Sequence, residues 1–142
     1  MNSQIKENFG LKMLLIASIV STAIHFTDNY IYIDQYPQPE SITPSSIYTA
    51  WIAWTVIGVV GYGLYKGQKF WLAYLCLIIY SFCGLDSLAH YLYGSWSDFS
   101  LKMHLFIVTD GLTGAAILGF TLWSGLIAKK QAINHHQNTH LN

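Results

Sequence analysis

Polar and apolar residues fall along this chain in long blocks, not at a short period. Four apolar stretches, 13–33, 47–65, 70–93 and 101–128, approach or exceed the ~20 residues that a bilayer-crossing helix needs. The connections are short and polar: 35–46 with Pro37, Pro39 and Pro44, a tight turn at 66–69, and another at 94–100. Short links favour antiparallel neighbours. The pattern predicts an all-α protein, a four-helix transmembrane bundle of up-down-up-down topology, forming one domain over 1–130. Ser97 or Ser100 is placed to cap the fourth helix. Residues 131–142 are polar and read as a disordered tail.

Composition narrows the class. Hydrophobic residues make up 53% and charged ones 10%, against about 25% charged in an ordinary soluble domain. The net charge is zero and there is no arginine, so no basic face exists for a nucleic-acid partner. Cys76 and Cys83 lie on one predicted helix, about 10 Å apart in rise, beyond disulfide reach. Lys6, Lys12, Lys66, Lys69, Lys129 and Lys130 fall on one side of this topology and Lys102 on the other. By the positive-inside rule both the N- and C-termini are cytoplasmic, and the localisation is read as a bacterial cytoplasmic (inner) membrane. Tyr30, Tyr48, Trp51, Tyr93 and Trp96 suit an outer aromatic belt. Lys6 and Lys12, an apolar run and then Ser21-Thr22-Ala23 resemble a signal peptide. Hydrophobicity resumes and continues to Ile33, which favours an uncleaved first helix.

Six ionisable residues interrupt the apolar spans: His25 and Asp28, Asp86 and His90, His104 and Asp110. Each costs ~2.5–3.5 kcal/mol on insertion scales, so such groups face the bundle interior or mark function. All lie roughly 5–14 Å inside the outer helix ends at 1.5 Å per residue, and Asn29 adds an amide beside the first pair. Helical spacing places Ala17, Ser21 and His25 on one stripe, and Cys76, Cys83, Asp86 and His90 on another. Gly111, Ala115 and Gly119 form a small-residue contact face on the fourth helix, with Asp110 about 100° away from it. Gly58 and Gly61 allow close packing of the second helix, and Trp51 and Trp54 are candidates to wall a bound cofactor or ligand.

Imidazoles with carboxylates at matched depth are the usual ligands of Zn, Cu, Fe or Mn. The candidate metal ligands are His25, His90 and His104, completed by Asp28 or Asp86, with Asp110 as a catalytic base. Asp86-x3-His90 followed by His104 is similar to the Asp-x3-His…His copper-site pattern in a membrane subunit of particulate methane monooxygenase. That resemblance covers three residues and implies a shared ligand geometry. The metal reading implies a lipophilic small-molecule substrate reached through membrane lipid, with oxidoreductase or hydrolase chemistry as options; whether the chain is an enzyme stays open. A metal-free alternative has the same groups relay protons or bind a lipophilic molecule, the chain working as a homo-oligomer or within a larger membrane complex. Haem ligation by two of the histidines ranks behind these. Each residue also has a plain structural role available, such as a buried Asp86–His90 pair that fixes helix register. In length, topology and the short 66–71 turn the chain looks like the small four-helix sterol-binding and sterol-isomerase (EXPERA) membrane proteins. The acidic residues of that family's second helix are missing here. His135, His136 and His140 in the tail could bind metal weakly on the other face.

Overall fold

The computed structural model describes residues 3–139, with side chains over 6–126. Four helices, α1 (Ser3–Ile31), α2 (Pro44–Lys66), α3 (Phe70–Leu85) and α4 (Leu101–Thr139), pack in a ring in which each touches the next and α4 returns to α1. No strand occurs among the described residues. Four segments, Lys6–Ile31, Pro44–Lys66, Phe70–Leu92 and Leu101–Leu126, are long and apolar enough to cross a membrane. Val56, Leu105, Leu112 and Leu126 are among the large apolar side chains left exposed on the outside of the ring. So much exposed apolar surface suits lipid and not water. The helix of α4 continues beyond its apolar part through the polar segment that ends at Thr139.

Local chemistry fixes the ends of α2. Thr43 accepts from the Ser46 backbone N–H while Ser46 Oγ accepts from that of Thr43, and Pro44 opens the helix. This is a capping box with proline where no N–H is needed. At the other end Gly67 N–H bonds Gly63 O and Lys69 N–H bonds Leu64 O. Closing that turn puts Gln68 at φ 60°, the left-handed region that a non-glycine residue occupies only at some cost.

The buried stripe of α1 is Leu11, Leu15, Ser18, Thr22, His25 and Asn29, alternating steps of four and three along one face. Ala17 is exposed and Ser21 half-buried, so the expected Ala17–Ser21–His25 stripe is rotated, with only His25 at its centre. α4 is turned by more. Its buried face is Met103, Ile107, Asp110, Gly114, Ile117, Thr121 and Ser124. Ala115 and Gly119 are exposed, so of the expected Gly111–Ala115–Gly119 face only Gly111 is buried, against the Leu88 side chain. The contact is made at Gly114 instead: a Cβ there would lie 2.6 Å from Ser81 O and 2.9 Å from Leu85 N. Gly84 of α3 meets the Asp110–Gly114 backbone from the other side. Two backbones touch, and neither position has room for a side chain. Gly58 and Gly61 admit Tyr80 and the Cys76–Leu77 edge of α3, the close packing expected of them.

The third apolar stretch is not one α-helix. Past Leu85 the chain tightens into a 3-10 helix, Asp86–Leu92, immediately after the Gly84–Gly114 crossing. Residues three apart eclipse in that geometry. Ser87 and His90 therefore share a face, Ser87 buried and Asp86 exposed at its edge.

Candidate functional site

The α1 and α4 stripes bring His25 and Asp110 together. Both are buried, at 2% and 0% exposure, with His25 Nδ1 2.8 Å from Asp110 Oδ2. Ser87 Oγ donates to the same oxygen at 3.3 Å, and Ser21 Oγ donates to Oδ1. Three donors thus converge on one carboxylate. The imidazole is then held with its proton on Nδ1 and its Nε2 lone pair outward, the arrangement by which a buried aspartate orients a histidine base. His25 Nε2 is buried without a hydrogen-bond partner.

A cavity of about 310 Å³ lies against this dyad, among α1, the proline-containing connection, α2 and the 3-10 helix. Phe26, Ile47 and Trp54 give it apolar walls, and His25, Asn29 and His90 supply polar groups. His90 Nδ1 donates to Pro37 O at 2.9 Å, so its Nε2 is an acceptor whenever the ring is neutral. Gln38 Nε2 reaches Ile33 O, which turns Gln38 Oε1 toward Asn29 Nδ2 at 3.1 Å. Asn29 Oδ1 is left buried and unpartnered. The rings of His25, Tyr36 and His90 form a triangle with centroids 5.4–5.6 Å apart.

The remaining residues singled out from the sequence are distributed around this centre. Asp110, whose direction the helical wheel left open, points straight into it. Trp54 lines the cavity, whereas Trp51 donates from Nε1 to Thr22 Oγ1 at 3.2 Å. Asp28 accepts from Tyr36 Oη at 2.8 Å and from Lys102 Nζ at 2.7 Å, tying the connection after α1 to α4. Burial, and then the Asp28 carboxylate, push the Tyr36 phenol well up from its usual value, so it remains a donor. Asp86 is exposed at the rim of the cavity. His104 sits in a separate aromatic cluster, accepting from or donating to Tyr91 Oη at 2.8 Å and stacked 4.0 Å over Trp96. The side chains of His135 and His136, and His140 altogether, lie outside the described residues.

His25, Asp28, Asp86, His90 and His104 are thus split among three places. Among the described residues no three His, Cys, Asp or Glu side chains are grouped to hold a metal ion. Cys76 and Cys83 are free thiols. Ser21, Tyr36, Gln38 and Ser87 also take part, although none was a candidate site residue. Ser21 carried a signal in its position one turn before His25, and Tyr36 and Gln38 in the proline-stiffened Tyr36-Pro37-Gln38-Pro39 loop over the bundle. Ser87 became reachable because the helix tightens, which no periodicity announced. Compared with known proteins, the chain matches no family model, no curated protein and no solved structure.

Proposed function

We propose that this chain is a multi-pass membrane protein, both ends cytoplasmic, which binds a lipophilic small molecule through a hydrogen bond to the His25–Asp110 dyad. The observation that carries the reading is the unpartnered His25 Nε2 beside the 310 Å³ cavity. A buried polar atom left unpaired costs about 1–3 kcal/mol, and a ligand that donates a hydrogen bond recovers that cost. Asp110 holds the imidazole in register and stabilises it if it takes a proton. Trp54, Phe26 and Ile47 receive the apolar part of the ligand. Six of seven lysines at one end support the orientation.

A 4-alkylphenol and its methyl ether test this directly. The two have similar shape, and only the phenol donates. Saturable quenching of tryptophan fluorescence by the phenol, at least tenfold weaker for the ether and lost in His25→Phe, supports the reading. Equal binding of phenol and ether overturns it.

A metal ion shared by His25 and His90 is the second reading. It is favoured by their 5.5 Å ring separation and by the engagement of both Nδ1 atoms, the way metal-binding imidazoles are commonly oriented. Elemental analysis of the full chain beside His90→Ala separates the two. Near-stoichiometric metal lost in the variant would favour the ion.

A further inference from the structure

The polar wall of the cavity has a chemical bias. Several of its donors are already committed: Ser87 Oγ to Asp110, Ser46 Oγ to Thr43 O, one N–H of Gln38 Nε2 to Ile33 O, one of Asn29 Nδ2 to Gln38 Oε1, and His90 Nδ1–H to Pro37 O. The buried polar atoms left without a partner here are acceptors. Asn29 Oδ1 and His25 Nε2 are buried and unpartnered, His90 presents a second Nε2, and Asp86 places a carboxylate at the rim. No lysine lines the cavity, and the chain contains no arginine. Lys102, the one lysine near this end, is held by Asp28.

We infer that the ligand is an amphiphile with a primary ammonium head, its nitrogen seated among His25 Nε2, Asn29 Oδ1, His90 Nε2 and the Asp86 carboxylate. This rests on the binding reading above and names the ligand class. An ammonium carries three donors and no acceptor, which matches the two buried, unpartnered acceptors and the carboxylate at the rim. Its charge answers the Asp86 carboxylate on a lining that holds no basic side chain other than the two imidazoles. A carboxylate or phosphate head would face the Asp86 carboxylate and leave His25 Nε2 and Asn29 Oδ1 unpaired. A trimethylammonium head would satisfy the charge but leave the acceptors orphaned. The aromatic faces of Trp54 and Tyr93 along the lining also suit a cation.

The full chain in phosphatidylcholine nanodiscs would be titrated with dodecylamine, dodecyltrimethylammonium, dodecanol and dodecanoate, reading tryptophan fluorescence and unfolding temperature. Dodecylamine is expected to saturate both signals, at least tenfold tighter than the trimethyl compound or the alcohol, with no saturable response to dodecanoate. Asn29→Leu and Asp86→Asn should each weaken the amine by tenfold or more, and the unliganded unfolding temperature reports whether each variant is folded. Nanodiscs containing phosphatidylethanolamine identify the source of the ammonium. Loss of the dodecylamine response there points to the lipid headgroup, and its persistence points to a free amine. Trimethylammonium or carboxylate binding equal to the amine, or amine binding indifferent to both substitutions, overturns the inference. If the alkylphenol still binds through His25 in that case, only the ligand class falls. If neither the phenol nor the amine saturates, the binding reading falls with it.

Discussion

Two of the polar networks in the bundle differ in what they leave undone. Toward the 67–69 turn, Tyr65 Oη bonds Glu7 at 3.1 Å and Ser124 at 3.0 Å, and Tyr74 Oη also reaches Ser124 at 3.1 Å. Each of these hydroxyls has a partner. Toward the proline-containing connection, the His25–Asp110 network stops one bond short, with His25 Nε2 and Asn29 Oδ1 open beside a cavity. Between the two lies an apolar layer of Leu11, Leu15, Leu77 and Ile117, all buried. Asn8 Oδ1 and Thr55 Oγ1 also lack partners, but neither lines the cavity. A closed network fixes helix positions. An open one at a cavity has affinity to spare for something else.

The contrast can be broken most forcefully at the dyad. His25→Leu strands the Asp110 carboxylate in the interior and should cost about 3–5 kcal/mol. Adding Asp110→Val removes the stranded charge, so the double variant should recover most of that loss. Denaturant titration of all four forms in detergent measures the coupling. If the two losses simply add, the pair is not a unit.

A smaller effect is expected where the dyad is supported. Gly114→Ala forces a methyl against the Ser81 and Leu85 backbone and should destabilise by about 1–3 kcal/mol, displacing Asp110 one turn away. Gly119→Ala, whose Cβ meets nothing within 4 Å, should be neutral or gain up to about 1 kcal/mol of helix propensity. Unfolding temperatures of the pair decide it, and equal effects would remove the backbone crossing as the support of the site.

The smallest effect belongs to the closed network. Tyr65→Phe deletes two hydrogen bonds at about 1 kcal/mol each, and should leave probe affinity in the cavity unchanged. A tenfold change in alkylphenol affinity would show that the two networks communicate through the apolar layer.

Much of the architecture could be read directly from the chain. Helix number and span positions follow from block hydropathy, whereas the start of α2 at Pro44, three residues before the expected 47, was set by the Thr43–Ser46 capping box that hydropathy does not mark. His25 was also legible as inward-facing, because a charged or polar group in an apolar span has few other places to go. The register of α4 was not. The small residues at Gly111, Ala115 and Gly119 offered a contact face as plausible as the one through Gly114, and only the match with Gly84 across the bundle selected it. The site followed that choice, since a rotation of roughly one residue decides whether Asp110 meets His25 or lipid.

The sequence by itself determined that four helices form, that they are dressed for lipid on the outside, and that costly polar groups gather toward one end. These are consequences of composition and spacing along single segments. The tertiary structure alone decided which of those groups meet. It paired His25 with Asp110, sent His104 to an aromatic cluster and Asp28 to Lys102, and replaced Asp86 with Ser87 by tightening the helix after Gly84. Hydrogen bonds between helices depend on rotations and crossings set by packing over the whole bundle, and a single segment carries no record of its neighbour's phase.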